Sequence, residues 1–571
     1  MKYLLIILFS LYVLSSGAEN RVVQKEDEKE VSIDEFIHKD TPKDAGFFHV
    51  YVQDGRYYLE VPDDKLERDI LVAVTIIKGT AQKERSTDAR FGYGGDSVYD
   101  RLIRFIKNQD RIEIVSPQVF YLGDTPALYD DYIKNVISPV MYSLEIKAKS
   151  ADSYLVDITD LFLSDCDLFS LKGAKVALKL GGYQQEQSYA LDVKAFPENI
   201  NFRSMRGYAV DGEVKDGGYT SSLWEVGASW FLLPEKPMRQ RMFDDRVGYF
   251  TFVLDGMTKR NDQMEKVAFA TRWRLEPKPE DMEKYLRGEL VEPVKPIVFY
   301  IDRATPEYLV PYFIKAVNAW QGAFEKAGFK NAIYGKLAPS PEEDPEYSEG
   351  DIRYPLVSYK ASPIPNAYGP MVFDPRSGEI ITSHIAIFHS VLDLLQRWYF
   401  VMCGAVDSRA REYPLSHEVM GELAATVLTH EVGHTLGLRH NFIGSTAYPV
   451  DSLRSKAFIR EHGLGTSIMD YQRFNYLAQP EDGLEPQDLL PRIGIYDEFA
   501  IEWGYRCFQE TNNLVENDLK LRAWVDEKRK DPKMFYIVET DYSDPRVQSE
   551  DSGDDIIKAN RLGMKNLKYI M

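Results

Sequence analysis

Cysteine is scarce in this chain, and acceptor sequences for N-glycosylation are absent from it. The 571 residues include three cysteines, Cys166, Cys403 and Cys507, and no Asn-x-Ser/Thr sequence. An odd number of widely spaced cysteines cannot all pair within one chain, so we expect mostly free, buried thiols. For an exported protein, few disulfides and no glycosylation favour a bacterial periplasm or exterior over a eukaryotic secretory route.

The chain also has fewer positively charged than negatively charged residues. The chain has 69 Lys and Arg against 89 Asp and Glu, a net charge of −20. Charge of this sign repels nucleic-acid phosphates, so we expect no nucleic-acid partner. Hydrophobic residues make up 44% of the chain and aromatic residues 13%, which indicates large packed cores rather than disorder. A chain of this length exceeds one domain.

The first residues resemble a signal peptide. Lys2 is followed by the apolar run Tyr3 to Leu14 and by small residues that end at Ala18. We expect residues 1–18 to be removed and the protein to be exported to the periplasm or the exterior. The apolar run is too short for a comfortable membrane span, and no later segment looks transmembrane. Residues 19–44 form a charged leader.

The rest of the chain predicts an α+β protein of two domains. Alternating apolar patterns with turn residues between them predict a β-rich domain at 45–276, whose role the sequence does not indicate. A proline-bounded, charged linker follows at 277–296, and a second domain occupies 297–571. In this domain periodicity predicts a strand at 297–301, a helix from Pro306 to Ala327 that Gly328 ends, strands at 331–335, 352–359, 371–374 and 380–388, and a helix near Tyr496–Trp503.

Three of the nine histidines lie between residues 430 and 440, in the pattern H-E-x-x-H-x-x-G-x-x-H. On a helix, His430 and His434 lie one turn apart and about 40° apart around the axis, so both imidazoles can bind one ion. Gly437 can adopt a left-handed conformation that ends the helix and lets His440 return to the same ion. Three neutral nitrogen ligands leave one position open, which is typical of a catalytic zinc site. Glu431 is well placed to contact a water there.

Two blander interpretations compete with this one. Histidines on amphipathic helices are often ordinary, partly buried side chains, and a zinc site can persist in a protein that has lost its activity. The glycine and the third histidine at fixed offsets argue against the first interpretation, and Glu431 argues against the second. The local context agrees, because Ser416 is a suitable N-cap and Val419, Leu423 and Val427 recur at helical spacing.

A second signal follows at residues 467–471, with the sequence Ser-Ile-Met-Asp-Tyr. It resembles the Met-turn of the metzincin clan of zinc peptidases, in which a methionine forms an apolar floor beneath the metal, and Met469 matches that methionine. Tyr471 stands where astacin-like and serralysin-like members carry a tyrosine that contacts the zinc and stabilises the transition state. Asn441 and Asp470 depart from the best-known subfamilies.

As a whole, the chain resembles a large, mostly bacterial family of secreted zinc-dependent metalloproteases whose catalytic domain is called Met-zincin and follows a β-rich domain. The resemblance covers most of residues 45–571, but only the motifs at 430–471 are specific. It implies a metzincin-like catalytic domain with a twisted mixed sheet, a zinc helix, a Met-turn and one catalytic Zn²⁺. Members of that family continue beyond the position of residue 571, so we expect a fragment or a shortened form.

The predicted activity is hydrolysis of peptide bonds by an endopeptidase. Zinc polarises the attacking water, and Glu431 takes a proton from it and passes the proton to the leaving amine. Tyr471 helps to stabilise the oxyanion, and an extended protein or peptide substrate adds to the sheet edge within 367–388. Two alternatives stay open: an exopeptidase or amidase on a non-protein substrate, and a non-catalytic binding module that zinc stabilises.

Two acidic stretches, at 342–346 and 550–555, could bind calcium through carboxylate oxygens. Neither has the spacing of an EF-hand. Solvated loops and helix caps are the simpler interpretation of both.

Overall fold

The computed structural model describes residues 31–80, 92–121, 134–211, 220–257, 264–508, 511 and 513–571. The predicted signal peptide and the first part of the predicted leader lie outside these residues. Strands dominate the N-terminal half, and most of the long helices lie in the C-terminal half. The predicted α+β fold class is therefore confirmed.

The N-terminal half is built on one antiparallel sheet. Its strands are β1 (Lys43–Asp44), β2 (His49–Gln53), β3 (Arg56–Pro62), β4 (Asp69–Lys78), β5 (Ser97–Asn108), β6 (Arg111–Val115), β7 (Val140–Lys149), β8 (Ser153–Asp157), β9 (Leu180–Ala195), β10 (Asn199–Val210) and β11 (Ser221–Leu232). Within the described residues their order is β1-β2-β3-β8-β7-β6-β5-β4-β11-β10-β9. One face of β4 packs into the core around Trp224 and Trp230. On its other face, Leu71 and Ala73 pack against Ile352 and Val372 of the C-terminal half.

A hairpin of two further strands, β12 (Thr251–Met257) and β13 (Met264–Ala270), follows this sheet. Phe252 of β12 packs against Phe373, with ring centroids 5.5 Å apart. The hairpin therefore contacts the C-terminal half.

The second sheet is mixed, as predicted. Its strands are β14 (Ile297–Ile301), β15 (Ile333–Leu337), β16 (Leu356–Lys360), β17 (Ala367–Tyr368), β18 (Met371–Asp374) and β19 (Glu379–Phe388). The order is β15-β14-β16-β19-β17, and β18 also pairs with β19. The first four strands of this order are parallel, whereas β17 and β18 are antiparallel to β19.

Twelve α-helices lie wholly within the described residues. They are α1 (Ile33–Phe36), α2 (Thr159–Phe162), α3 (Lys175–Leu178), α4 (Met282–Leu286), α5 (Val310–Asn318), α6 (Gln321–Lys326), α7 (Val391–Cys403), α8 (His417–Thr435), α9 (Lys456–His462), α10 (Ile495–Tyr505), α11 (Leu514–Lys528) and α12 (Ile556–Ile570). Within the part of the chain that the structure describes, none of them has the length and apolar character needed to cross a membrane.

The helix predicted from Pro306 to Ala327 was wrong in its extent. It begins at Val310 and is interrupted between α5 and α6. At the interruption the Trp320 backbone N–H donates to Val317 O, three residues back, at 3.4 Å. The Trp320 indole donates to Thr429 O at 3.0 Å. This tertiary contact with α8, which periodicity cannot indicate, accompanies the tighter turn.

The segment predicted as a linker, 277–296, contacts the second half closely. Tyr285 is buried, and its hydroxyl donates to Ala327 O at 2.6 Å and accepts from Cys507 N at 2.9 Å. Val291 also pairs with Phe329 in an isolated bridge. The position of the domain boundary stays a prediction.

None of the three cysteines forms a disulfide, as expected. Cys166 and Cys403 are buried, and Cys507 is half-buried.

Candidate metal centre

Helix α8 positions the first two histidines of the motif. Ser416 caps it as predicted, because its side-chain oxygen accepts from Val419 N at 3.3 Å. The helix packs against α5, α7 and β19 and is buried over most of its surface. Its direction and rotation are therefore fixed by several neighbours, and so are the positions of His430 and His434.

Gly433 allows a close approach to the helix beneath these histidines. A Cβ atom at this position would lie 2.3 Å from Met469 Sδ and 2.9 Å from a ring carbon of Trp320. Met469 is fully buried. The methionine of the predicted Met-turn thus packs directly against the zinc helix, and the glycine between the two motif histidines makes room for it.

The structure brings the three motif histidines together. Their ring nitrogens lie within 4.8 Å of one another, and His434 Nε2 is 3.1 Å from His440 Nε2. Ring centroids are 4.6 to 5.2 Å apart. Two nitrogens that each bind a tetrahedral zinc ion at about 2.0–2.1 Å would be roughly 3.3 Å apart. The spacing therefore fits one ion between them.

The other nitrogen of each ring faces an oxygen, at hydrogen-bond distance for His430 and His434 and at ion-pair distance for His440. His430 Nδ1 lies 2.7 Å from Ile468 O, His434 Nδ1 lies 2.8 Å from Leu438 O, and His440 Nδ1 lies 3.4 Å from Glu539 Oε1. With the proton on Nδ1, each Nε2 is an acceptor, as metal binding requires. His430 Nε2 is buried and has no hydrogen-bond partner, which is what a nitrogen reserved for a metal would show.

Burial favours the neutral form of all three imidazoles. It lowers the pKa of His430 well below its ordinary value, and it lowers the pKa of His434 and of His440 to about 4. The three histidines are the single group of three or more His, Cys, Asp or Glu side chains, among the described residues, that could hold a metal ion together. This donor set fits zinc.

Gly437 turns the chain between the second and third histidines, as predicted. Its φ of +98° is left-handed, and a Cβ there would lie 2.3 Å from Thr271 O. The turn also pairs with a distant segment: Phe250 N donates to Gly437 O at 2.7 Å, and Arg439 N donates to Gly248 O at 2.8 Å. The segment 248–250 therefore fixes the turn that carries His440, and no local pattern in the sequence indicates this contact.

The Met-turn is held by Asp497 of α10, which sequence reasoning missed. One carboxylate oxygen of Asp497 accepts from Ile468 N at 2.7 Å, and the other accepts from Ser467 Oγ at 2.6 Å. Ile468 O is in turn the acceptor beside His430. Asn441 N donates to Met469 O at 3.0 Å, so the chain just after His440 also contacts the turn.

Glu431 and Tyr471 lie at a cavity beside the histidines. The cavity has a volume of about 300 Å³ and is lined by α7, α8, the Met-turn and the start of β17; Glu431, His430 and Tyr471 are among its lining residues. Burial raises the pKa of Glu431 to about 8, and Arg473 opposes this shift. The Tyr471 ring centroid lies 4.6 Å from that of His440 and 5.5 Å from that of His430.

The acidic stretch at 550–555 is engaged with protein donors. Asp555 caps α12 by accepting from Ile557 N and Lys558 N, and Asp554 accepts from Val450 N. Glu550 lies 3.5 Å from Arg473. In the other stretch, Asp344 accepts from the Tyr354 hydroxyl. These contacts agree with caps and loop ends.

The helix, the three histidines, the turn and the buried methionine define the site of a metzincin-type zinc metallopeptidase. Comparison with protein families agrees: residues 412–571 match the Met-zincin family, and this part of the chain is a Met-zincin domain. Residues 95–278 match a domain of unknown function, DUF5117, and residues 30–79 match another, DUF5118. No curated protein and no solved structure matches the chain.

Proposed function

We propose that this zinc metallopeptidase is an exported endopeptidase that hydrolyses peptide bonds in protein or peptide substrates. One observation carries the proposal. A buried carboxylate, Glu431, lines a cavity next to three neutral imidazoles whose Nε2 atoms converge. A metal site that only stabilised the fold would need neither the cavity nor a base beside it.

The chain supplies a proton path for the reaction. A zinc ion held by His430, His434 and His440 would supply a Lewis acid that activates water at neutral pH. Glu431 takes a proton from the attacking water as the new C–O bond forms at the scissile carbonyl. It then gives this proton to the leaving amine nitrogen as the C–N bond breaks, so that it ends the cycle unchanged.

Tyr471 is assigned to the developing oxyanion. Its ring lies against His440 and His430 at the same cavity. A hydroxyl in this position can donate a hydrogen bond to the oxygen that gains negative charge in the transition state. The substrate chain is assigned to β17, because Asn366 and Ala367 line the cavity and β17 ends the sheet order. An extended peptide can pair with such an edge.

The test compares two substitutions on one helix. Glu431→Ala removes the base, whereas Glu418→Ala removes an exposed carboxylate in the first turn of α8. We expect Glu431→Ala to lose at least about 100-fold in turnover, the contribution typical of a general base, and to retain bound zinc. We expect Glu418→Ala to keep its activity. Zinc content and cleavage of unfolded proteins are measured for both, and full activity in Glu431→Ala contradicts the mechanism.

The same preparation separates the alternatives. Peptides blocked at both ends are cut by an endopeptidase but resist an exopeptidase that needs a free end. An amidase would cut small amides and leave blocked and unblocked peptides intact. If zinc only stabilises a binding module, chelation unfolds the domain and no substrate of any kind is cleaved.

Export is tested on the full chain. Expressed in a bacterium, the protein is expected to reach the periplasm or the medium with Glu19 at its N-terminus, because the segment ending at Ala18 reads as a signal peptide. N-terminal sequencing of the fractionated protein checks this. Recovery in the cytoplasm with residues 1–18 still attached contradicts it.

A further inference from the structure

Arg473 lies in the cavity beside the metal centre and has no role in the mechanism above. It follows the Met-turn, and its left-handed backbone has φ +62°. Its guanidinium lies over two aromatic rings, 4.1 Å from the centroid of Tyr471 and 4.3 Å from that of Trp398 on α7. The two ring contacts restrain the position of the guanidinium.

The guanidinium is within one or two substrate residues of the reacting centre. The Tyr471 ring that it contacts lies 5.5 Å from the ring of His430 and 4.6 Å from that of His440. Glu431 and Arg473 line the same cavity. Because an extended chain advances about 3.3 Å per residue, a group on a residue next to the scissile bond can reach Arg473.

The positive charge of Arg473 is only partly compensated by the protein. Among the described residues its one ion pair is with Glu550, through Nε at 3.5 Å. That nitrogen is buried and makes no hydrogen bond. Burial lowers the pKa of Arg473, as expected for a cation that has lost water without gaining full compensation. Two other carboxyls line the cavity, Glu431 and Asp470, and neither forms an ion pair with Arg473 in the part of the chain that the structure describes. Asp470 Oδ2 accepts from Ser445 N at 2.7 Å, and its Oδ1 makes no hydrogen bond.

The chemistry of the cavity indicates what it takes up. A planar guanidinium can bind a carboxylate through two parallel hydrogen bonds. Part of the lining is apolar or aromatic, including Leu394, Leu395 and Phe474. Such a lining strengthens a charge pair by excluding water.

We propose that Arg473 is a specificity-determining residue, which binds a carboxylate of the substrate on the α7 side of the scissile bond. The carboxylate belongs either to an aspartate or glutamate side chain or to the C-terminus of the substrate. The proposal rests on the peptidase activity proposed above and adds a substrate class to it: a side-chain carboxylate agrees with the endopeptidase, whereas a C-terminal carboxylate would make the enzyme the exopeptidase of the alternative.

The test uses matched peptides that differ in one charge. A peptide series carries Asp or Asn, and Glu or Gln, at each of several positions on both sides of a cleavable bond, and each peptide ends in a free acid or an amide. The zinc-loaded wild type is compared with Arg473→Gln and Arg473→Glu. The control is Arg397→Gln, which removes an arginine of α7 whose side chain is 73% exposed.

We expect the wild type to prefer one acidic position, or the C-terminal acid, by about 10- to 100-fold in kcat/KM, the range of a charge-assisted hydrogen bond. Arg473→Gln should bring this ratio close to one, and Arg473→Glu should reverse it in favour of the neutral Asn, Gln or amide peptides. Arg397→Gln should keep the ratio of the wild type. A preference for Asp over Asn, or for Glu over Gln, shows that Arg473 binds a side-chain carboxylate. A preference for the free acid over the amide shows that it binds the C-terminus of the substrate.

Arg473 also contacts Tyr471, so it could act only by positioning that tyrosine. The experiment distinguishes this role from substrate binding. If Arg473 only positions the tyrosine, Arg473→Gln lowers kcat for every peptide in parallel and leaves the ratio of acid to neutral unchanged, which overturns the proposal.

If no peptide is cut, the proposed peptidase function is wrong. The role of Arg473 is then tested by measuring the affinity for peptides. Calorimetry on the Glu431→Ala protein should show tighter binding of acidic than of neutral peptides, and adding Arg473→Gln should abolish this difference. Equal binding of acidic and neutral peptides to the Glu431→Ala protein overturns the proposal.

Discussion

Glu539 distinguishes the third histidine from the other two. His430 and His434 direct Nδ1 at backbone carbonyls, whereas His440 directs Nδ1 at the carboxylate of Glu539, 3.4 Å away. A carboxylate behind a ligand histidine holds its tautomer and makes the imidazole a stronger donor. Loss of such a partner typically costs 10- to 100-fold in metal affinity.

We therefore expect Glu539→Ala to weaken zinc binding by about 10- to 100-fold. Competition with a coloured chelator measures the affinity. Glu527→Ala, which removes an exposed carboxylate of α11, is the matched control and should bind zinc as the wild type does. An unchanged affinity in Glu539→Ala would show that His440 does not depend on this carboxylate.

Some residues of the site interact with partners close by in the sequence, and others interact with distant ones. His430, His434, Gly437 and His440 could be predicted, because helical spacing and one turn bring them together. Ser416 could also be predicted, since a cap acts on the residues that follow it. Glu539 and Asp497 could not, because their partners lie far away in the sequence and a lone acid has no periodicity. Arg473 was missed for the same reason, as its neighbour Trp398 belongs to another helix.

At the scale of elements, the contact between α8 and the Met-turn depends on the absence of a side chain at Gly433. A methyl group there would meet Met469 Sδ at 2.3 Å. Alanine is ordinarily the better helix residue by about 1 kcal/mol, but overpacking a buried contact typically costs 1–3 kcal/mol. We expect Gly433→Ala to lower the free energy of unfolding by roughly 1–2 kcal/mol and to reduce zinc affinity.

Gly322 on α6 provides the matched comparison. It is also helical, but a Cβ at this position would have no neighbour within 4 Å. Gly322→Ala should therefore raise the free energy of unfolding, by up to about 1 kcal/mol. Urea unfolding of both variants measures the difference, and two changes of the same sign would show that packing at Met469 is not what requires glycine.

Periodicity predicted elements better than their interruptions. The strands β14 and β18 occupy the predicted residues, and β19 begins one residue early. The break between α5 and α6 was missed because it accompanies the bond from Trp320 to Thr429 O on another helix. A pattern along one segment reports which face is apolar, but it carries no information on which group of another segment that face will meet.

At the scale of the whole molecule, the N-terminal half takes part in building the metal centre. Residues 248–250 pair with the turn that carries His440, and the Trp273 indole donates to Thr435 O at 2.8 Å near the end of the zinc helix. Val247 and Tyr249 belong to the same buried core as α8 and the Met-turn. The zinc turn therefore depends on contacts that the chain makes only after both halves have come together.

His384 lies where these halves meet, and it makes stability depend on pH. Its Nδ1 is 3.2 Å from Gly95 O. Burial lowers the pKa of His384 to about 4, Lys360 acts in the same direction, and Asp351 opposes it. In the unfolded chain the His384 imidazole binds a proton near pH 6.5, whereas in the folded chain it does so only near pH 4. The contribution of the neutral imidazole to the free energy of unfolding is therefore complete above pH 6.5 and is lost as pH falls toward 4. A shift of this size corresponds to roughly 3 kcal/mol.

We expect the free energy of unfolding of the metal-free protein to fall less between pH 7 and pH 4.5 in His384→Gln than in the wild type. The substitution also costs some stability at neutral pH, so the slope with pH is the quantity that tests the prediction. His38→Gln, which replaces an exposed histidine, should keep the slope of the wild type. The three zinc histidines titrate equally in all these proteins, and their contribution cancels in the comparison. Parallel slopes in His384→Gln and the wild type would show that acid does not destabilise the contact between the halves through this imidazole.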